Sequence, residues 1–211
     1  GETPIRYTTD GTEPTLESPL YTDPIEIRES CTIMARSDKN GLTGRTFKKT
    51  FAAHKAMGRP VQTLTETHPN YTFTCPDLLT DGLVGEGPYN SGDFAGWYNQ
   101  PFEAVIDMGG ETFSSVTLGT YVFKYDYIFN PLDLVVYTSE NGEDFTEIAR
   151  VEIPVEGGVD DANGSQEFRI EFPETSAKYL KVTAKTIEAL PEWHSAKGRP
   201  GFVFVDEVVV Y

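Results

Sequence analysis

The sequence predicts an all-β protein of short antiparallel strands, and three observations carry that expectation. Short apolar stretches recur along its 211 residues, separated by Asp-Gly, Asn-Gly and Gly-Arg-Pro clusters, the spacing of strands joined by tight turns. Composition agrees: 12% aromatic, with 13 Phe and 11 Tyr beside 19 Gly and 14 Pro, suits pleated, half-buried strands and the turns between them. No stretch repeats its apolar residues with a convincing helical period, and none approaches the ~20 apolar residues of a membrane span.

Residues 5–9, IRYTT, alternate as a half-buried strand and run into the turn Asp10-Gly11-Thr12-Glu13-Pro14. Further short strands are expected at 18–21, 24–27, 32–36 and 46–51. In SCTIMARS, Cys31, Ile33 and Ala35 alternate with polar neighbours and are expected to face a core. Cys31 and Cys75 lie in different parts of the chain without metal-ligand spacing, so both are assigned as free thiols. At HKAMGRP the alternation stops. This places a first domain over 1–54, a linker over 55–60 and a second domain over 61–211. His54, a single linker histidine, is expected neither to ligate nor to titrate.

Beyond the linker, strands are expected at 61–64, 102–108, 116–122, 132–138, 145–153, 166–172, 179–186 and 202–211, a β-sandwich count. Asn141-Gly142 is the clearest hairpin signal, because Asn-Gly accepts the positive φ angles of a two-residue turn. The chain opens GETPIRYTTDG, without an initiator Met, and enters a strand almost at once. It reads as a piece of a longer protein, and no N-terminal signal is visible.

Net charge is -16, unevenly spread. Residues 1–57 hold 8 acids and 8 bases, whereas 58–211 hold 25 acids and 9 bases. That surface repels phosphate backbones, which argues against nucleic acid as a partner. It suits either a calcium-containing medium outside the cytoplasm or simple solubility.

The segment 78–98, LLTDGLVGEGPYNSGDFAGWY, is too rich in glycine and acid for a regular element. It reads as an ordered loop that closes on Trp97-Tyr98. Asp81 is an oxygen donor beside a glycine that lets the chain fold back, and backbone carbonyls of a tight loop can converge on one point. That is how calcium is held, and the proposed partner is Glu207 in the last strand.

Two resemblances add to this reading. IRYTTDGTEPTLESPLYTDPIEIRESCTIMARS resembles the C-terminal domain of chitobiase and β-hexosaminidase enzymes, an immunoglobulin-like or fibronectin-like sandwich. The strands that usually precede its turn have no counterpart here, which implies a truncated sandwich too small for an independent core. LTDG at 79–82, Trp97, FEAVIDMG, LVVYTSENGEDFTEIA, AKYLKVTA and VDEVVVY, in that order, resemble the discoidin domain, a jelly roll also known as the family 32 carbohydrate-binding module. That resemblance implies a structural calcium at Asp81 and Glu207, with backbone oxygens near Leu79, Leu83 and Asp206 as further ligands. Leu83 stands where the family often has another acid, so its carbonyl would have to serve. Together the two imply the non-catalytic region of a secreted or periplasmic glycosidase, a β-N-acetylhexosaminidase, whose own catalytic domain is a partner.

Catalysis by this chain is not expected. Asp206-Glu207 has the adjacency of a family 20 hexosaminidase pair, but neighbours on a regular strand point to opposite faces and cannot meet at one glycosidic oxygen. No alternating strand and helix pattern supplies a catalytic barrel either. Asp160-Asp161 is either a second ion site or a solvated loop.

The candidate ligand segment is 186–199, TIEALPEWHSAKGR, longer than a hairpin between the last two strands requires. Trp193 offers a flat face for the C–H side of a pyranose, with His194 and Arg199 as hydrogen-bond donors. Tyr125 and Asp126, from the aromatic run 121–129, are assigned to the same side. The expected ligand is a carbohydrate of the galactose or N-acetylhexosamine class. Trp193 could equally cap the end of the sandwich.

Overall fold

A computed structural model describes residues 3–155, 157, 158, 160 and 163–211. Among these the chain is nearly all β and separates into two compact units, Gly1–Ala53 and His54–Tyr211. Among the described residues no helix is long and apolar enough to cross a membrane.

The first unit is one antiparallel sheet of β1 (Ile5–Thr8), β2 (Cys31–Asp38) and β3 (Leu42–Phe51), in the order β1-β2-β3. Residues 18–21 and 24–27, expected as strands, are irregular; Leu20 makes only an isolated bridge to Arg6. Asp10 shapes the predicted turn by accepting the Thr12 N–H at 3.0 Å and the Thr12 hydroxyl at 2.6 Å. Register sets Tyr7 beside Ala35 and Ala35 beside Phe47, with Ile33 and Cys31 further along the same row. That row is apolar, as the alternation predicts, yet its members are half-buried or exposed rather than sealed in a core.

The second unit is a sandwich of two antiparallel sheets. One holds β10 (Gly164–Ser176), β7 (Thr112–Val122), β12 (Phe202–Val210) and β5 (Ala95–Tyr98), in that order. The other runs β4 (Val61–Thr63), β6 (Phe102–Asp107), β11 (Tyr179–Ala184), β8 (Asp133–Ser139) and β9 (Thr146–Glu152). Between them lie Trp97, Phe102, Ala104, Ile106, Phe113, Leu118, Leu134, Val136, Leu180, Val182 and Val205, all buried. Strict alternation in β6 and β11, with every second residue buried, is the pattern of strands with one face on a core. Each of the eight strands expected here forms. β5 was not foreseen, because a four-residue strand inside a glycine-rich loop carries no period of its own.

Two local expectations change. The hairpin between β8 and β9 is a six-residue loop rather than a two-residue turn: Gly142 takes φ 77°, while the side-chain Oδ1 of Asn141 accepts the N–H groups of Glu143 and Asp144, both at 2.9 Å. The segment expected as a linker belongs to the second unit. Lys55 N–H bonds Val210, Gly58 N–H bonds Thr80, and Ala56 is fully buried in the core.

In β12, Val205 pairs with Thr120 and Val208 with Leu118, so Asp206 and Glu207 both lie opposite Gly119. This is a β-bulge, and it shifts the core-facing residues from Val203 and Val205 to Val208 and Val210. Strand alternation therefore does not separate the two acids. The geometric ground expected to keep them apart is removed by the bulge.

Candidate functional site

Asp81 and Glu207 are brought together, 126 positions apart in sequence. The carbonyl of Leu79 accepts the Val208 N–H at 2.9 Å, so the loop after residue 78 runs beside β12 where β5 has ended. Gly82 then turns at φ 75°. Asp81 Oδ1 accepts the Leu83 N–H at 2.7 Å, and its other oxygen faces the Cys75 thiol at 3.8 Å. Glu207 Oε1 accepts the Gly82 N–H at 3.2 Å and meets His54 Nε2 at 2.8 Å. Glu207 Oε2 is buried with no hydrogen-bond partner, and the Asp81 carboxyl lies within hydrogen-bonding reach of Glu207.

Two buried acids side by side cannot both ionise without a counter-charge. Burial, then the Asp81 charge, pushes Glu207 up to about 10; burial also raises Asp81. Either a proton or a cation must sit between them. The donors suit a hard cation: both side chains are carboxylates, Leu79 offers a carbonyl with a second lone pair, and Leu83 stands at the same turn. Among the described residues no three His, Cys, Asp or Glu side chains gather as a metal cluster, so backbone oxygens and water would have to complete the coordination.

Asp206 does not join this group through its side chain. Its Oδ2 accepts the Gly85 N–H at 2.7 Å, and Oδ1 lies over Gly119, where an added Cβ would stand 2.1 Å away. Burial pushes its carboxyl up to about 6. Asp206 thus fastens the loop one turn beyond Gly82, a structural role that the motif alone did not reveal.

The second candidate region is the end of the sandwich at the close of β7. A 3-10 turn, Lys124–Asp126, interrupts the aromatic run, and Tyr127 follows in the left-handed region at φ 65°. Tyr121, Phe123, Tyr125 and Tyr127 therefore do not share one face. Tyr121 and Phe123 pack with Tyr71, Tyr89, Phe94, Phe202 and Phe204 beneath the long loop, Tyr127 joins Phe129, Ile187 and Leu190, and Tyr125 stands 53% exposed. Asp126 accepts the Tyr89 hydroxyl at 2.6 Å, and the Tyr125 hydroxyl donates to Asp160 at 2.5 Å. Asp161, the other half of the acidic pair at 160–161, lies outside the described residues.

Trp193 is 43% exposed, stacked on Phe129 at 5.9 Å between centroids, with Lys124 Nζ 6.0 Å from its ring centre. Arg199 is exposed and its carbonyl accepts the Leu190 N–H at 2.8 Å. His194 corrects the expectation of a ligand donor. It is buried; its Nδ1 accepts the Ala196 N–H at 3.0 Å, so the proton sits on Nε2 and is donated to the Lys124 carbonyl at 2.7 Å. His194 bolts the 186–199 segment to the 3-10 turn and has no nitrogen left for a sugar.

The residue that sequence reasoning missed is His54. Its side chain is fully buried against Glu207, and burial lowers it to about 4. The available signal was weak: an isolated histidine where alternation ends gives no period, and its partner lies 153 residues away.

Residues 1–51 match the family described as Fn3 associated. No curated protein matches the sequence. Among solved structures, CBM32-3 from a family 31 glycoside hydrolase of Clostridium perfringens is similar at 16% identity and a TM-score of 0.47, over 76% of this chain and 94% of that one. The lectin domain of lectinolysin, complexed with Lewis B antigen, is 18% identical with a TM-score of 0.47, over 75% of this chain and 96% of the other. SpGH29 is 13% identical with a TM-score of 0.45; 75% of this chain is covered but only 28% of that one.

Proposed function

We propose that the second unit is a carbohydrate-binding module whose loops are fixed by a structural calcium ion, within the non-catalytic region of an extracytoplasmic glycosidase. The observation that carries sugar binding is the exposed pair Trp193 and Tyr125 beside the 3-10 turn, on a backbone held rigid from below by His194 and Asn163. Asn163 accepts the Lys124 N–H at 3.0 Å. Exposed rings on a pinned backbone lose little entropy when they stack on a pyranose face. Asp126 and Asp160 can accept from sugar hydroxyls, and Arg199 can donate.

Calcium would be held by Asp81, Glu207 and carbonyls at Leu79 and Leu83, where it would supply the missing positive charge and no reaction. The sequence resemblance supports a β-N-acetylhexosaminidase as the parent enzyme, and galactose or N-acetylhexosamine as the sugar class.

Trp193 also favours a second reading. Its contacts with Phe129 and Lys124 are those of a lid over the end of the sandwich, which would make both units structural parts packed on a catalytic domain. Calorimetric titration with galactose, N-acetylgalactosamine and N-acetylglucosamine in millimolar calcium separates the two. Sugar binding that disappears in Trp193→Ala supports the module. No heat at tens of millimolar sugar, in protein that remains folded, leaves the structural reading.

A further inference from the structure

His54 makes three side-chain hydrogen bonds whose directions can be assigned from the backbone. The N–H groups of Ala56 and Val210 point at its Nδ1, at 3.2 Å and 3.4 Å. A nitrogen that accepts from N–H groups carries no proton, so in the neutral ring the hydrogen is on Nε2. Nε2 stands 2.8 Å from Glu207 Oε1 and donates to it. The Gly82 N–H reaches the same oxygen at 3.2 Å. Both donors thus fall on Oε1, and Oε2 is left buried without one.

We infer that His54 is a positioning residue for the cation site: it holds Glu207 by Oε1 so that Oε2 faces the Asp81 carboxyl as the coordinating atom. This rests on the calcium reading above. A carboxylate on a strand can rotate about its last bonds and present either oxygen, and a ring locked on its far side to two backbone N–H groups removes that freedom. Ring and carboxylate are both buried, so no water competes for the bond. Partners of this kind are worth about 10–100-fold in metal affinity.

Two substitutions divide the ring's functions between them. His54→Gln keeps a donor near the place of Nε2 and reaches Glu207; His54→Asn keeps an acceptor near Nδ1 for Ala56 and Val210 but cannot reach Glu207. Calcium titration by calorimetry on the chelator-stripped 211-residue protein, with melting temperature in chelator as the check on folding, gives the test. The expected result is binding by His54→Gln within about threefold of the unaltered protein, and binding by His54→Asn weakened about 10–100-fold. Equal affinities in both variants, or the reverse order, overturn the positioning role while leaving calcium in place. An unaltered protein that takes up no calcium, with the same melting temperature in calcium and in chelator, overturns the calcium reading itself.

Discussion

Replacing Glu207 by Gln should stabilise the metal-free protein and abolish its response to calcium. In the unfolded chain Glu207 is ionised at pH 7, because its ordinary value is 4.5. In the folded, metal-free protein it is neutral, its carboxyl pushed up to about 10 by burial and by Asp81. Taking up that proton at pH 7 costs at most about 1.36 kcal/mol for each of the 2.5 units between 4.5 and 7, or ~3.4 kcal/mol. Gln is neutral in both states and avoids the cost. Its oxygen can accept from His54 and Gly82 as Oε1 does, and its amide can donate to Asp81. Because Asp81 shares the proton, the expected gain is about 1–3 kcal/mol, or roughly 3–9 °C in melting temperature for a unit of this size. Calcium acts in the opposite sense. At a dissociation constant of ~0.1–1 mM, 5 mM calcium should stabilise the unaltered protein by about 1–2 kcal/mol, and the variant hardly at all. Urea denaturation in chelator and in calcium measures all four values. A variant less stable than the parent in chelator by more than about 1 kcal/mol would refute the reasoning, since it would mean that Glu207 is ionised without calcium and already neutralised by another group.

Two further outcomes follow from the same carboxylates. Gly119→Ala should cost about 3 kcal/mol in urea denaturation, because the new Cβ would stand 2.1 Å from Asp206 Oδ1 and must either displace the carboxylate from Gly85 N–H or push β7 and β12 apart; a loss under 1 kcal/mol would show that the bulge can yield. In chelator, stability should fall as pH rises from 6.5 towards 9, since the folded state holds a proton on Glu207 that the unfolded state has released, and calcium affinity should rise over the same range as the ion displaces that proton. His54 acts in the opposite direction only below 6.5, its lowered value of about 4 giving stability that is lost as pH falls, so the upper window is clean. Calcium affinity that does not change between pH 6.5 and 8.5 would count against a shared proton.

Much of the second unit was legible because its strands have one face on a core. β6 and β11 announce themselves by period, whereas β12, buried at almost every position, does not. Asp81 and Glu207 were legible as a pair only because motif order joined them; nothing in local pattern links two residues so far apart. What stayed hidden depends on geometry that period cannot encode. The Asp206-Glu207 bulge looks like ordinary strand in VDEVVVY, and only pairing with Gly119 reveals the extra residue. His54 and His194 each appeared as lone imidazoles, one dismissed and one assigned to a ligand. Their roles follow from backbone N–H groups two residues onward, at Ala56 and Ala196, which fix the tautomer and so decide what the other nitrogen can do. Tyr125 is exposed because the 3-10 turn sends it outward, a local break in the strand that no period in the aromatic run announces.

Both candidate sites are tied to one loop, and that connection predicts a coupling between them. The loop leaves Asp81, is held at Gly82 by Glu207 and at Gly85 by Asp206, and at Tyr89 reaches the other region, where its hydroxyl holds Asp126 at 2.6 Å. Between these points the Glu86 N–H donates to Asp93 at 3.0 Å, and Phe94 fills the space that a side chain at Gly85 would need. Removing calcium should loosen the Gly82 attachment first, because the charge on Glu207 then depends on pH, while the Gly85 attachment, the Tyr89 stack on Phe123 and its edge contact with Phe204 persist. Only part of the order at Asp126 should therefore be lost. The expected effect of chelator is a drop in sugar affinity of about 2–5-fold, a coupling of roughly 0.4–1 kcal/mol. Tyr89→Phe separates this route from a general loss of stability: it cuts the hydroxyl bond to Asp126 but keeps the ring, so it should weaken sugar binding by a similar factor and remove most of the dependence on calcium. If chelator weakens binding equally in the parent and in Tyr89→Phe, the loop does not transmit the effect, and calcium acts on the sugar end only through the stability of the whole unit.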